Sequence, residues 1–180
     1  MSSSSNLLVL DLSSYGSGLA VINQFCDEDQ VKVFEVSPIG HAGILILLIK
    51  DATAAELLKN EIFSYYKANI LSIALLKDFD MTALKIYLSQ NKPVVLENLL
   101  IQEFSFLSEA FCCVDRLIKS KIAVIDFRVI RTYPLNAIVT STSSNADSLA
   151  VVRSEVNSRA SVVIEKIEPV LKQFYQIVQN

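Results

Sequence analysis

Apolar and polar positions in this chain keep phase with a second copy of themselves. Asn6-Leu7-Leu8-Val9-Leu10-Asp11-Leu12-Ser13 lies against Asn98-Leu99-Leu100-Ile101-Gln102-Glu103-Phe104-Ser105, an offset of 92 residues. At that offset Leu19-Ala20-Val21-Ile22 meets Phe111-Cys112-Cys113-Val114, and Val31 and Val33 meet Ala123 and Ile125. Ile46-Leu47 then meets Ile138-Val139, and Ile70-Leu71 meets Val162-Val163. Identities are few, but an apolar phase shared over such a length marks an internal repeat.

Each copy predicts the same order of elements. A strand (6–12; 94–103) leads into a helix (15–27; 108–120). Leu19, Ile22 and Cys26, like Phe111, Val114 and Ile118, recur at the three- and four-residue spacing of one helical face. Two strands follow (30–37 and 43–50; 122–130 and 136–142), joined by a hairpin-like loop. The next helix is opened by Asp51 in one copy and by Ser144 or Asn145 in the other, all good N-caps. A last strand (69–76; 161–166) and a short helix (80–89; 168–178) close each unit. Asn91-Lys92-Pro93 is the link, because proline disfavours helix just before it. The expected domains are therefore 1–91 and 92–180.

Strand-helix-strand-strand-helix-strand is the split βαβ, ferredoxin-like order. The predicted fold is thus α/β (α+β): two tandem units, each a mainly antiparallel four-stranded sheet with helices on one face. The other face is left bare, and a bare apolar face needs a cover. The second copy or a neighbouring subunit is the natural one.

Composition sharpens this. Hydrophobic residues make up 52% of the chain, so either much apolar surface is buried within the fold or some is reserved for partner subunits. The net charge of −3 comes from 16 basic and 19 acidic residues, with no basic stripe to hold a nucleic acid. The longest aliphatic run, Ile44 to Ile49, is far short of the roughly 20 residues a membrane helix needs, and reads as a buried strand. Met1 to Ser5 is a serine tail with no signal-type core after it. Cys26, Cys112 and Cys113 are odd in number and lack C-x-x-C spacing, against both a disulfide framework and a zinc site. A reducing cytoplasm is the expected compartment.

Candidate chemistry is sparse. His41, the only histidine, sits between Gly40 and Ala42-Gly43 with no nucleophile placed beside it. As a loop histidine it reads first as surface and second as the lining of a pore. Cys112 and Cys113 fall where the first copy has Ala20 and Val21, which reads as core packing. Gly16-Ser17-Gly18 lacks the third glycine and the downstream acid of a dinucleotide site, and a helix-entry turn explains it. Arg131, Thr132 and Tyr133 form a polar cluster in an apolar stretch, either a solvated turn or a pore lining. No catalytic residues, metal or cofactor are expected, and the chain does not read as an enzyme.

Several stretches nonetheless resemble one family. Ala110 to Ile125, with Asp115, Lys119, Ala123 and Val124, resembles the A…D…K.A.V helix-to-strand segment of bacterial microcompartment shell proteins. Ile39-Gly40-His41-Ala42-Gly43-Ile44-Leu45-Ile46 is similar to that family's IGSGLVTV pore loop and strand, and Lys50 to Leu57 to its GDVGAV helix start. Ala68 to Asp80 stands where the family has its closing SVHVIPRPH strand and turn. The first copy departs with Asn23 and Asp27 at the Asp and edge Lys positions, the second has no glycine in its pore loop, and Lys77 to Asp80 lacks the Arg-Pro.

The resemblance implies a tandem-domain shell protein, a homotrimer imitating a six-domain tile around a central pore for small metabolites. Gly40, His41 and Ala42 would line that pore in alternation with Arg131, Thr132 and Tyr133, and a ring of Arg131 would favour anions. Asp115 and Lys119 would mark an assembly edge toward other shell proteins. The partners implied are further copies of the chain, other shell proteins and small metabolites, with no nucleic acid or membrane, inside a cytoplasmic microcompartment or similar assembly. The competing expectation is a ferredoxin-like regulatory module that binds a small ligand at a subunit or domain interface.

Overall fold

The computed structural model describes residues 5–90, 95–132, 134–165 and 167–178. The link Asn91-Lys92-Pro93, the boundary between residues 91 and 92, and Tyr133 lie outside them. The first unit runs β1 (Ser5–Leu12), α1 (Tyr15–Phe25), β2 (Val31–Ile39), β3 (Ala42–Ile49), α2 (Ala52–Tyr66), β4 (Ile70–Phe79) and α3 (Thr82–Tyr87). The second runs β5 (Asn98–Phe104), α4 (Leu107–Lys119), β6 (Ala123–Ile130), β7 (Asn136–Ser143), α5 (Ala146–Glu155), β8 (Ala160–Ile164) and α6 (Pro169–Val178). The sheets are ordered β2-β3-β1-β4 and β6-β7-β5-β8, antiparallel throughout. Both units therefore carry the split βαβ topology.

The repeat is real, but its single offset is not. Leu8 pairs with Leu47 and Leu75, and its counterpart Leu100 pairs with Ser141 and Val163. The offset is thus 92 at β1, 94 at β3 and 88 at β4. Val33 and Val124, opposite Leu47 and Ser141, are 91 apart. Ile46-Leu47 does not match Ile138-Val139, nor Ile70-Leu71 match Val162-Val163. The causes are length changes in connections. Two residues separate the closing pair Ile39 and Ala42, five separate Ile130 and Asn136, and α2 has 15 residues against 10 in α5. Loops absorb such changes on the surface, whereas register is held by which face of each strand is buried.

Strand β1 is apolar at nearly every position because both of its faces are covered. Leu8, Leu10 and Leu12 pack with Leu45 and Leu47 under α1 and α2, against Val21, Ala55 and Ile62. Leu7, Val9, Ile44 and Ile46 face the other way, into a cluster with Leu84 of α3 and with Phe111 and Val114 of α4. The face that the repeat leaves bare in the first unit is covered by a helix of the second, as expected. Helix α4 is therefore buried on two sides. Ala110, Cys113 and Leu117 lie on one side, and Leu107, Phe111 and Val114 on the other. Helix α1 buries only Ser17, Gly18 and Val21.

Candidate assembly seam and pore loops

Asp11 is the one charged residue in the run Leu7 to Leu12, and it is buried. Its Oδ1 accepts the Leu107 N–H and its Oδ2 the Ser108 N–H, both at 2.9 Å. Ser108 also donates its hydroxyl to Ser72 on β4 at 2.8 Å. Helix α4 begins after Phe106, which has no capping oxygen, so its leading amides are satisfied by the first unit instead. Burial raises the Asp11 carboxyl above its ordinary value, against the pull of the Ser108 and Leu107 hydrogen bonds. A negative group at this end of a helix is favoured by its dipole.

A second polar tie joins the halves at the hairpins. Arg131 donates from Nη1 to Glu35 Oε1 at 2.6 Å and to Ser37 Oγ at 2.7 Å, and from Nη2 to the Tyr87 hydroxyl at 2.7 Å. Tyr87 donates to Glu35 Oε2 at 2.7 Å. Burial alone would raise the Glu35 carboxyl, but the hydrogen bonds from Arg131, Ser37 and Tyr87 outweigh it and hold the group below its usual range. Beneath this network, the Tyr87 ring packs at a tilt against Phe111 at 5.2 Å and Phe127 at 5.4 Å. The short helix α3 thereby pins the first unit onto the second.

The two candidate pore loops lie side by side within one chain. Gly40 turns the first hairpin at φ 57°, a left-handed conformation suited to glycine, and His41 is exposed at its tip. Gly43 allows close approach, since a Cβ there would sit 2.8 Å from both the Ser14 carbonyl oxygen and Tyr15 Cα. Ile39, Ala42 and Gly43 share a cleft of about 180 Å³ with Pro134 and Leu135 of the second hairpin. Ala42 is buried, Thr132 is exposed, and Arg131 is 42% exposed with its charge matched by Glu35. Glu at position 131 would set two carboxylates against each other and break this tie.

Asp115 and Lys119 pair at 2.6 Å along α4, and Lys119 also donates to the Lys77 carbonyl at 3.1 Å. They stand at the seam between the units. Cys112 is not core as the sequence suggests: it is exposed, while Cys113 is the buried thiol, donating to Gln102 Oε1 at 3.2 Å. Cys113 takes the place of the buried Val21 in the first unit, and Cys112 looks outward. Among the described residues no group of three or more His, Cys, Asp or Glu could hold a metal ion, and no helix is long and apolar enough to cross a membrane.

Sequence reasoning missed Asp11, Glu35 and Tyr87. The signal for Asp11 was available: an isolated acid inside an apolar strand, and a helix opening on Phe106 with no cap of its own.

Comparison with solved structures places this architecture. A microcompartments protein from Desulfitobacterium hafniense DCB superposes with a TM-score of 0.73 over 94% of this chain and 98% of its own, at 16% sequence identity. This chain has the fold of that microcompartment protein. An unknown protein from Galdieria sulphuraria reaches a TM-score of only 0.31, at 10% identity over 91% of this chain and 99% of its own, and bears on nothing further. No family model and no curated protein matches the sequence. The microcompartment fold is thus recognised through backbone geometry, with the tandem repeat spanning the whole match.

Proposed function

We propose that this chain is a structural shell or shell-like assembly protein, forming a trimeric pseudo-hexamer around a central pore for small metabolites. One observation carries the reading: the interface between the two units is used once inside the chain and left open at both ends. The α4 side of that interface is Leu107, Phe111 and Val114, buried against the first sheet. The equivalent face of α1 offers Tyr15 and Leu19, 38% and 44% exposed. On the sheet side, buried Ile39 has exposed Ile130 as its counterpart. Open half-interfaces of this head-to-tail kind join copies into a ring when the rotation closes.

In this reading residues 1–91 and 92–180 are the two domains, and the role is structural, not catalytic. Gly40 and His41, with Ala42 buried behind them, alternate with Arg131, Thr132 and Tyr133 around the axis. Because each Arg131 is paired with Glu35, the ring at that level is one of ion pairs. Asp115 and Lys119 stand near the line where tiles meet other shell proteins, and the assembly belongs in the cytoplasm, in a microcompartment or a similar body. The alternative, a regulatory module with a ligand between its domains, has less support. The cleft between the hairpins is about 180 Å³, below the range of roughly 300–1,000 Å³ usual for ligand pockets. A cleft of about 510 Å³ beside α4 is lined by the second unit alone, from Glu109 to Asn157, and not by both domains.

Electron microscopy of the purified assembly tests the reading. The expected result is a three-fold plate with residues 38–43 and 130–136 of every chain at the axis. Those loops on the outer rim would refute the pore.

A further inference from the structure

The seam inside the chain is a template for the seam between chains, and it specifies more than apolar contact. Within the chain, a carboxylate on the central strand of one sheet, Asp11, caps the first two amides of a helix from the other unit, at Leu107 and Ser108. In the repeat, Asp11 corresponds to Glu103 on the central strand β5, and Leu107 and Ser108 correspond to Tyr15 and Gly16, which lead α1.

We infer that Glu103 of one copy caps the α1 N-terminus of a second copy, accepting the backbone N–H groups of Tyr15 and Gly16. This rests on the self-assembly reading above and adds the contact that sets its register. Glu103 is only half-buried, as suits a group awaiting a partner, whereas Asp11 is almost wholly buried. Ser14, the N-cap of α1, takes the Ser17 N–H, so Tyr15 and Gly16 remain as leading amides with no intrahelical acceptor. No acidic residue lies in the first turn of α1 to satisfy the helix dipole from within.

The surroundings repeat the same asymmetry. Leu19, 44% exposed, stands where Phe111 is fully buried, and Ile130, also 44% exposed, stands where Ile39 is buried. Val162 on the edge strand β8 adds a further exposed apolar side chain to the receiving sheet. Glu103 has one methylene more than Asp11, and Arg159 holds its Oε2 at 2.6 Å. A carboxylate has two oxygens, so one stays on Arg159 while the other turns to the incoming amides.

Removing a single backbone N–H tests this without touching a side-chain contact. Gly16 has open space around its Cβ direction, with Ser14 Oγ nearest at 4.0 Å, and proline is tolerated in the first turn of a helix. Gly16→Pro deletes the donor, and Gly16→Ala keeps it. Association of the full chain is measured by sedimentation velocity across a dilution series, with circular dichroism to confirm folding. Gly16→Pro and Glu103→Ala should each weaken association about tenfold per interface relative to Gly16→Ala and wild type, the scale of a lost helix cap. The double variant should be no weaker than Glu103→Ala alone, since without the carboxylate the Gly16 N–H has no acceptor left to lose. A trimer equally tight in Gly16→Pro and Gly16→Ala would overturn the cap and leave the assembly standing. A wild-type chain that stays monomeric would overturn the assembly reading and the cap with it.

Discussion

Asp11 and Ser108 stand 97 residues apart in the chain, yet the carboxylate of the first accepts the backbone N–H of the second at 2.9 Å. Together with the Leu107 contact, this makes the start of α4 a property of both units. Neither half completes its polar inventory alone, and the apolar cluster around Phe111 crosses the same line.

Asp11→Ala should therefore act at a distance. Loss of a helix cap costs about 1 kcal/mol, up to about 2 in favourable sites. Hydrogen exchange should speed up at the amides of residues 107–110 while the centre of β3 stays protected. Unchanged protection at the α4 N-terminus would show that the cap carries no stability.

The Glu35 network should make stability depend on acidity. Its carboxyl titrates below the ordinary value of 4.5 when folded, so the unfolded chain takes up the proton first as pH falls. The contribution is complete above that ordinary value and is lost as pH drops through the folded one. Urea midpoints at pH 7 and pH 3 should separate more for wild type than for Glu35→Gln. Equal separations would mean that the Arg131 tie adds nothing.

Adjacent cysteines should behave oppositely. Cys113→Ala removes a buried thiol and should destabilise by about 1 kcal/mol, whereas Cys112→Ala should stay within about 0.5 kcal/mol of wild type. A thiol reagent should label Cys112 in the folded chain and Cys113 only after unfolding. Fast labelling of Cys113 under native conditions would contradict its place beside Gln102.

Gly43→Ala should be costly for its size. The added methyl meets backbone at Ser14 and Tyr15 at 2.8 Å, and forced overpacking of this kind costs about 1–3 kcal/mol. Thermal unfolding gives the answer, and a variant as stable as wild type would show that the β1–α1 turn can give way.

Much of this was legible in the sequence, and the failures have physical causes. The spacing of Leu19, Ile22 and Cys26 identified an apolar helical face, but periodicity does not say against what a face packs. Ile22 and Cys26 of that stripe pack with Val21 against the first unit's own core, and Leu19 alone stands 44% exposed where its counterpart Phe111 is buried across the seam. Cys112 and Cys113 could not be told apart because α4 is apolar on two sides. The α1–β2 connection, the hairpin and α2 differ in length between copies, so a fixed offset was one residue off register at β2 and further off beyond it. Asp11 was aligned with Glu103 without its role, since a cap 96 residues upstream of Leu107 leaves no local motif.

The number of chains that assemble decides whether the open half-interfaces close into a ring. Native mass spectrometry of the wild-type protein at micromolar concentration should give a single species with the mass of three chains, reduced to one chain when Leu19 or Ile130 is replaced by Arg. A wild-type spectrum dominated by one chain, or by an open series with no closed end, would contradict it.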